Sequence, residues 1–493
     1  MKILLIDPPC DRFLDYTSEC IPLGLSSIAA YLKEKGHEVF VYNADHSQKA
    51  SHINIVEYAE NQRKYLDAVN NEDHPIWQEV RGVIGDLKPD LIGISVMSVK
   101  ILPARKLISL IRKVNRGIVI VCGGHHPTID PELFLRNDRA DFVVRGEGEL
   151  PLAELAEKLI SKGNGYESIK GLSFLRGEKI FHSPDRPLIT DLSILPLPEK
   201  DSVVFKETYS MEDFSIVMTS RGCSYSCGFC GSGNMWKRTV RYRPVEKVIE
   251  EIGVLKKKYR VTNIKFMDDS FSINKKRVEN LCLEILRAKL NITWSCLTRV
   301  NLIDDGLICL MKRAGCKKID IGIESGNPRV LEIIDKEIAV EQIEKAVKII
   351  DKYRIFWAAF FMFGFPTETE EEVMDTLRFM KKIKPGWANI SIFTPYPGTK
   401  LYDMCLKNGI IDESYDPSLY MHQRIESFAT DRISKERFYS VSRKMLNEFS
   451  NYNKSFSTLL SRAGSRSYQK NPKLLIDDFK KLFRWFKVKD HRK

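Results

Sequence analysis

At 493 residues the chain is too long for one ordinary core, and two or three domains are expected. Hydrophobic residues make up 43% and charged residues 29%, and 77 basic against 65 acidic side chains leave a formal charge of +12. That is the balance of a globular protein, with a basic excess that suits an anionic partner without naming one. Eleven scattered cysteines exclude a disulfide scaffold, and no uncharged stretch reaches membrane-spanning length. The opening apolar run is too short for a signal peptide, so a cytoplasmic enzyme is expected.

Lys2–Asp7 is a short apolar run stopped by Pro8 and Pro9, and it reads as a buried parallel strand. Leu23–Lys35 carries helical spacing and Glu38–Tyr42 reads as the next strand. Leu91–Ser95, Ile118–Cys122 and Phe142–Val144 follow as β-rich runs, with helical Pro103–Lys113 among them. Strands alternating with helices imply an α/β, Rossmann-like domain over residues 1–165. Such sheets bind ligands beyond the carboxyl ends of their strands. Those positions hold Ser95 and Ser98, then Gly123, Gly124, His126 and Thr128, then Gly146, Glu147, Gly148 and Glu149. Glycines let a backbone approach a large flat ligand, and hydroxyls and amides satisfy its polar rim. A dinucleotide site would need G-x-G-x-x-G after the first strand, where Asp7-Pro8-Pro9 stands instead.

Gly171–Pro198 reads as a small hairpin and a proline-punctuated linker, placed at residues 166–205 as a separator of two domains. Six further strand runs follow within residues 206–430: Ser215–Thr219, Asn263–Met267, Thr293–Leu297, Lys318–Ile323, Trp357–Phe363 and Ala388–Phe393. Helical Val245–Lys258, Arg277–Ala288, Glu341–Tyr353 and Glu370–Lys382 fall between them. Serial βα units suggest a partial (β/α)6 barrel, whose chemistry sits on loops at the carboxyl ends of the strands.

The first of those loops carries Cys223, Cys227 and Cys230 in a C-x3-C-x2-C spacing. Three thiolates on one short loop can hold three irons of a [4Fe–4S] cube and leave the fourth open. Zinc competes for thiols, but a closed zinc site wants four ligands, and no second pair or local histidine is present. Cys282, Cys309 and Cys316 read as core residues, while Cys296 lies at a strand end near the expected pocket.

The triplet, with Phe229 just before its last cysteine, resembles the signature of radical S-adenosylmethionine (SAM) enzymes. The resemblance implies that SAM chelates the open iron and that a 5′-deoxyadenosyl radical abstracts hydrogen. It also implies SAM contacts at Phe229, at Asp268 and Asp269 (amino group), at Arg299 (carboxylate or substrate), at Glu324 and Ser325 (ribose) and at Gly364 (adenine). The strand-end loops of the first 150 or so residues resemble the cobalamin-binding domain upstream of one branch of this family. That branch typically carries cobalamin with no protein histidine on cobalt. Consistently, Asp45-His46-Ser47 does not fit the D-x-H-x-x-G motif of other cobalamin proteins.

The implied activity is methyl transfer to an unactivated carbon of a small or lipid-like molecule. Cyclisation or rearrangement without net methyl transfer is the alternative, and a non-catalytic corrinoid-binding protein is a third. An external electron donor such as flavodoxin or ferredoxin is implied, and no nucleic acid. Phe271, Trp357, Phe365 and Tyr396 near the strand-end loops favour a partly apolar substrate. Residues 431–493 read as helical and basic, with Leu475, Phe479, Leu482, Phe483 and Phe486 on one stripe. Either that stripe docks on an anionic membrane or it packs across the catalytic domain, and the second reading is preferred.

Overall fold

Two sheets organise the chain. The computed structural model describes residues 1–16, 20–47, 55–137, 139–163, 165–419, 424–455 and 458, so the basic stripe at residues 475–486 lies outside the described residues. The first sheet contains β1 (Lys2–Asp7), β2 (Glu38–Asn43), β3 (Leu91–Ser95), β4 (Val119–Gly123) and β5 (Phe142–Val144), parallel in the order β2-β1-β3-β4-β5. Ile3, Leu4, Leu5 and Ile6 are all buried, because helices cover both faces of a parallel sheet and leave no polar side. The order reverses between β1 and β3, which opens a crevice at the carboxyl ends. The expected hairpin, β6 (Leu172–Arg176) and β7 (Lys179–His182), adds to this sheet as an antiparallel edge.

The second sheet contains β8 (Ile216–Val217), β11 (Asn263–Phe266), β12 (Thr293–Thr298), β13 (Cys316–Glu324), β14 (Phe356–Phe363) and β15 (Trp387–Ile392). They lie in chain order and pair in parallel throughout, the partial barrel that the serial βα pattern led one to expect. Between β8 and β11 stands a short antiparallel ribbon, β9 (Ser220–Arg221) with β10 (Arg241–Tyr242), which the sequence did not announce. The open edge at β15 is covered by the helix Lys435–Asn453. Its Phe449 ring stands 5.5 Å from Phe361, and the Asn453 amide bonds both the N–H (3.0 Å) and the carbonyl (2.7 Å) of Ala388. A side-chain amide thus occupies backbone groups that an edge strand would otherwise expose.

The linker joins the two sheets instead of holding them apart. Ser202 and Val204 bond the backbone of Val41 in β2, each at 2.8 Å. The adjacent Lys200 is buried and donates to the carbonyls of Phe214 (2.9 Å) and Ile216 (2.7 Å), beside and within β8. Among the described residues no helix is long and apolar enough to cross a membrane.

A candidate active site between the two sheets

The loop carrying Cys223, Cys227 and Cys230 leaves the sheet at β9 and returns at β10, so the ribbon clamps its base. Gly222 makes the first turn at φ +96°, and a Cβ there would lie 2.1 Å from the Thr239 carbonyl oxygen, so no side chain fits. Further along, the Gly228 N–H donates to the Ile334 carbonyl (2.8 Å) and its own carbonyl accepts from Leu401 (2.9 Å). Three of the eleven cysteines therefore stand on one pinned loop, with Cys230 exposed and the other two half-buried. Cys282, Cys296 and Cys316 are buried in the core, which settles Cys296 as a packing residue. Desolvation raises the half-buried Cys223 thiol above its ordinary value. Among the described residues no three His, Cys, Asp or Glu side chains gather closely enough to hold a single metal ion. A donor set of three soft thiols on one short loop fits three corners of an iron–sulfur cube.

The groups around this loop are charged and buried. Arg299 is 6% exposed, donates to Cys227 Sγ at 3.1 Å and to the Lys336 carbonyl, and lies 3.7 Å over the Tyr225 ring. Lys336 pairs with Glu324 at 2.7 Å and stands 5.8 Å from the Phe229 ring centroid. Glu324 has φ +66° at a register shift between β13 and β14, an unusual conformation for a side-chain-bearing residue and one that re-aims its carboxylate. Phe229, Arg299 and Glu324 are thus brought together. Lys336, which joins them, comes from an irregular turn and carries no motif that could have found it.

The other expected SAM contacts are placed differently. Asp268 is buried with its two oxygens engaged by Thr219 and Ser220, among them the N–H of Thr219 (2.8 Å) and the hydroxyl of Ser220 (2.7 Å), so it holds the base of the cysteine loop. Asp269 is exposed, accepts from Ser232 Oγ at 3.1 Å, and its charge acts on Cys223 and Cys230. Ser325 is fully buried and bonds Thr376 Oγ1 at 3.0 Å, inside the barrel wall. The close approach permitted by Gly364 is made by the Phe438 ring, 2.9 Å from where a Cβ would be. Phe271, Trp357 and Phe365 are core side chains at 0–3% exposure, and Trp357 lies near the start of its strand; Tyr396 alone of the four is half-buried.

On the first sheet a cavity of about 290 Å³ opens beyond the carboxyl ends of β3, β4 and β5. Ser95, Gly123, Gly124, Gly146, Glu147, Gly148 and Glu149 line it, together with the linker prolines Pro196 and Pro198. Its far side is formed by Met218, Arg221, Met235, Trp236 and Arg243 of the second domain, so the cavity lies between the two sheets. Gly124 bends the β4 loop at φ +102°, where a Cβ would crowd the Val96 backbone at 3.0 Å. Ser98, His126 and Thr128 do not line the cavity. Ser98 Oγ and His126 Nδ1 satisfy each other at 3.1 Å, and Thr128 Oγ1 donates to Gly124 and accepts from the Gly146 N–H, tying the loops together. His46 stacks on Tyr209 with ring centroids 3.7 Å apart.

Glu147 and Glu149 are buried against guanidinium groups. Arg221, the residue two before Cys223, pairs with Glu147 at 2.7 Å and Glu149 at 2.5 Å, and Arg241 adds a second contact to Glu147 at 2.7 Å. Burial raises the Glu149 carboxyl, but the Arg221 guanidinium outweighs it and the group rests below the usual carboxylate range. Arg221 thus belongs to the cavity wall and to the stem of the cysteine loop at once. The glycine-rich floor and broad apolar wall fit part of a large flat cofactor, and the cysteine loop fits a cluster.

Residues 12–156 match the model of the B12 binding domain, and residues 217–380 that of the radical SAM superfamily. The chain belongs to the family of cobalamin-binding radical SAM enzymes. It is 34% identical to an uncharacterized methyltransferase of Pyrococcus horikoshii over 449 residues, 88% of this chain and 90% of that one. It is 28% identical to the anaerobic magnesium-protoporphyrin IX monomethyl ester cyclase of Rubrivivax gelatinosus, over 69% of this chain and 62% of the cyclase. Among solved structures it resembles the radical SAM methyltransferase TsrM from Kitasatospora setae, whose structure holds cobalamin and a [4Fe–4S] cluster. The TM-score is 0.70 at 16% identity, over 98% of this chain and 99% of TsrM, a likeness of fold.

Proposed function

We propose that this protein transfers a methyl group to an unactivated carbon of a small, partly apolar molecule. The observation that carries the proposal is Arg221, one side chain shared by the stem of the cysteine loop and the wall of the glycine-rich cavity. It sets the two expected cofactor positions side by side, as an exchange between them requires. Cys223, Cys227 and Cys230 would hold the [4Fe–4S] cluster, and the cavity would take cobalamin. When bound, the cluster, SAM and cobalamin supply the electron, the hydrogen-abstracting radical and the methyl group.

The chain's own residues bind, orient and shield. Arg299 presents an N–H to Cys227 Sγ, a contact of the kind that tunes cluster potentials. The buried Glu324–Lys336 pair, beside Phe229, offers a carboxylate to sugar hydroxyls and an ammonium to a carboxylate. Asp269, exposed next to the loop and accepting from Ser232 Oγ, would meet the SAM ammonium. Tyr396 lies on the second-domain side as a half-buried aromatic available to substrate. The electron would come from flavodoxin or ferredoxin. A lipid-like substrate reached at a membrane rests on the tail stripe alone, and co-sedimentation with anionic vesicles, with and without residues 470–493, tests it.

The cyclase relative supports a second reading, ring formation without methyl transfer. Product analysis of the reconstituted, reduced enzyme with SAM and extracts of candidate small molecules separates the two. Methyl transfer is expected to yield S-adenosylhomocysteine together with 5′-deoxyadenosine. 5′-Deoxyadenosine alone would overturn methyl transfer in favour of cyclisation, and neither product would overturn both.

A further inference from the structure

Arg299 is a buried cation that makes no ion pair among the described residues. It is 6% exposed, and its guanidinium donates to Cys227 Sγ (3.1 Å), to the Lys336 carbonyl and to the Asn301 side-chain oxygen (3.4 Å). Lys100, Lys200, Arg241 and Lys336 are likewise buried, and each has a carboxylate partner. A buried charge left uncompensated is costly, so the opposite charge has to come from what the site holds.

The setting of the side chain says where that charge lies. Arg299 directly follows β12 at the carboxyl end of the barrel, 72 positions after Cys227. One face of the guanidinium is closed by the Tyr225 ring, whose centroid is 3.7 Å away, and the Tyr225 hydroxyl accepts from the Asn301 amide at 3.1 Å. Ring, amide and the Lys336 carbonyl thus hold the guanidinium in one orientation, with an N–H on the sulfur. Cys223 and Cys230 differ. They take hydrogen bonds from backbone N–H groups two positions on, those of Tyr225 and Ser232. Those donors are neutral and belong to the loop itself. Cys227 meets a charged donor, and it comes from another strand.

Thiolates that hold iron share the negative charge of a cluster, and an added electron increases it. A charge-assisted N–H on one of those sulfurs therefore favours the reduced state, the more so where water is excluded. We propose that Arg299, locked by Tyr225, is a positioning residue that raises the reduction potential of the cluster held by Cys223, Cys227 and Cys230, bringing it within reach of an external one-electron donor. The proposal rests on the reading of the cysteine loop as the cluster site and deepens it. The family resemblance placed Arg299 at a carboxylate of SAM or substrate, whereas each of its three nitrogens faces a protein acceptor.

The test is a redox titration of the full-length, cluster-reconstituted protein, followed by electron paramagnetic resonance of the reduced cluster. It is run without SAM, so a role confined to holding SAM would leave the midpoint in place. Arg299→Met is expected to keep its iron and sulfide. At a fixed donor potential its ratio of reduced to oxidised cluster should fall about tenfold, a downward shift of about 59 mV for one electron. Tyr225→Leu, which keeps the guanidinium but unlocks it, should shift the midpoint the same way by less. An unchanged or raised midpoint in Arg299→Met overturns the assignment, and an unchanged midpoint in Tyr225→Leu overturns the lock. If Arg299→Met takes up no cluster, Arg299→Lys decides. Lysine lacks the planar fork that bonds sulfur and carbonyl together, so a fall is again expected and an unchanged midpoint overturns the proposal. A wild type that assembles no iron–sulfur cluster overturns the reading of the cysteine loop itself.

Discussion

Glu368 illustrates how a single residue can carry a condition of the whole site. It is fully buried after β14, and its Oε2 accepts the backbone N–H groups of Gly364 (2.6 Å) and Phe365 (3.0 Å), while Oε1 has no partner among the described residues. Burial pushes its pKa to about 8 against the pull of those two donors, so at neutral pH the carboxyl is protonated, with Oε1 free to carry the proton. The folded state then holds a proton that the unfolded chain releases above about pH 4.5. This contribution to stability is complete below about pH 4.5 and is lost as pH rises through about 8. Glu368→Gln keeps the acceptor and cannot ionise. Urea unfolding of the variant should therefore lack the decline between about pH 4.5 and 8, gaining on the order of a few kcal/mol over the wild type once the pH has passed about 8. A parallel decline in both proteins would refute the assignment. None of this is visible in the sequence, where Glu368 is one of several glutamates in an acidic stretch before a helix.

At the scale of elements, the cysteine loop depends on a ribbon of four residues and one glycine. β9 and β10 pair Arg221 with Arg241 and Ser220 with Tyr242, and Asp268 anchors the first strand from the end of β11. Gly222→Ala would drive a methyl group into the Thr239 carbonyl at the first turn of the loop. The expected result is a folded protein whose loop no longer presents its thiols together. Iron and sulfide retention after desalting should fall by roughly ten- to a hundredfold, the range for lost support of metal ligands. Full retention would show that the ribbon is dispensable. The strands themselves were legible, because buried parallel strands are unbroken apolar runs between loop residues. The ribbon was not, since two-residue strands have no period to detect.

For the molecule as a whole, the two sheets are joined by the linker and by the ion pairs of Arg221, and the proposed corrinoid would bridge the same gap. A ligand bound only by the assembled protein stabilises it by mass action, about 2.7 kcal/mol at a hundredfold excess over its Kd. Cobalamin is accordingly expected to raise the denaturation midpoint of the wild type. Arg221→Met leaves the buried Glu149 without its guanidinium partner, which is expected to cost about 3–5 kcal/mol and to abolish the response to cobalamin. Denaturation curves with and without cobalamin check both parts, and an unchanged response in the variant would remove Arg221 from the coupling.

What could be read from residues alone was whatever chemistry is local in the chain: two parallel βα series, a C-x3-C-x2-C loop at the end of the first barrel strand, and glycine-rich loops at the ends of β4 and β5. Periodicity and motif spacing act over a few residues, and one sequence displays them fully. That His126 turns to Ser98, and that Ser325 and Gly364 serve packing while Lys336 joins the site, depended on side-chain direction and on contacts far along the chain. Arg221 meets Glu149 across 72 positions and Glu147 across 74, and Gly364 meets Phe438 across a comparable span. Such pairings are products of sheet order and domain docking, and no local pattern encodes them, so only the folded chain could decide them.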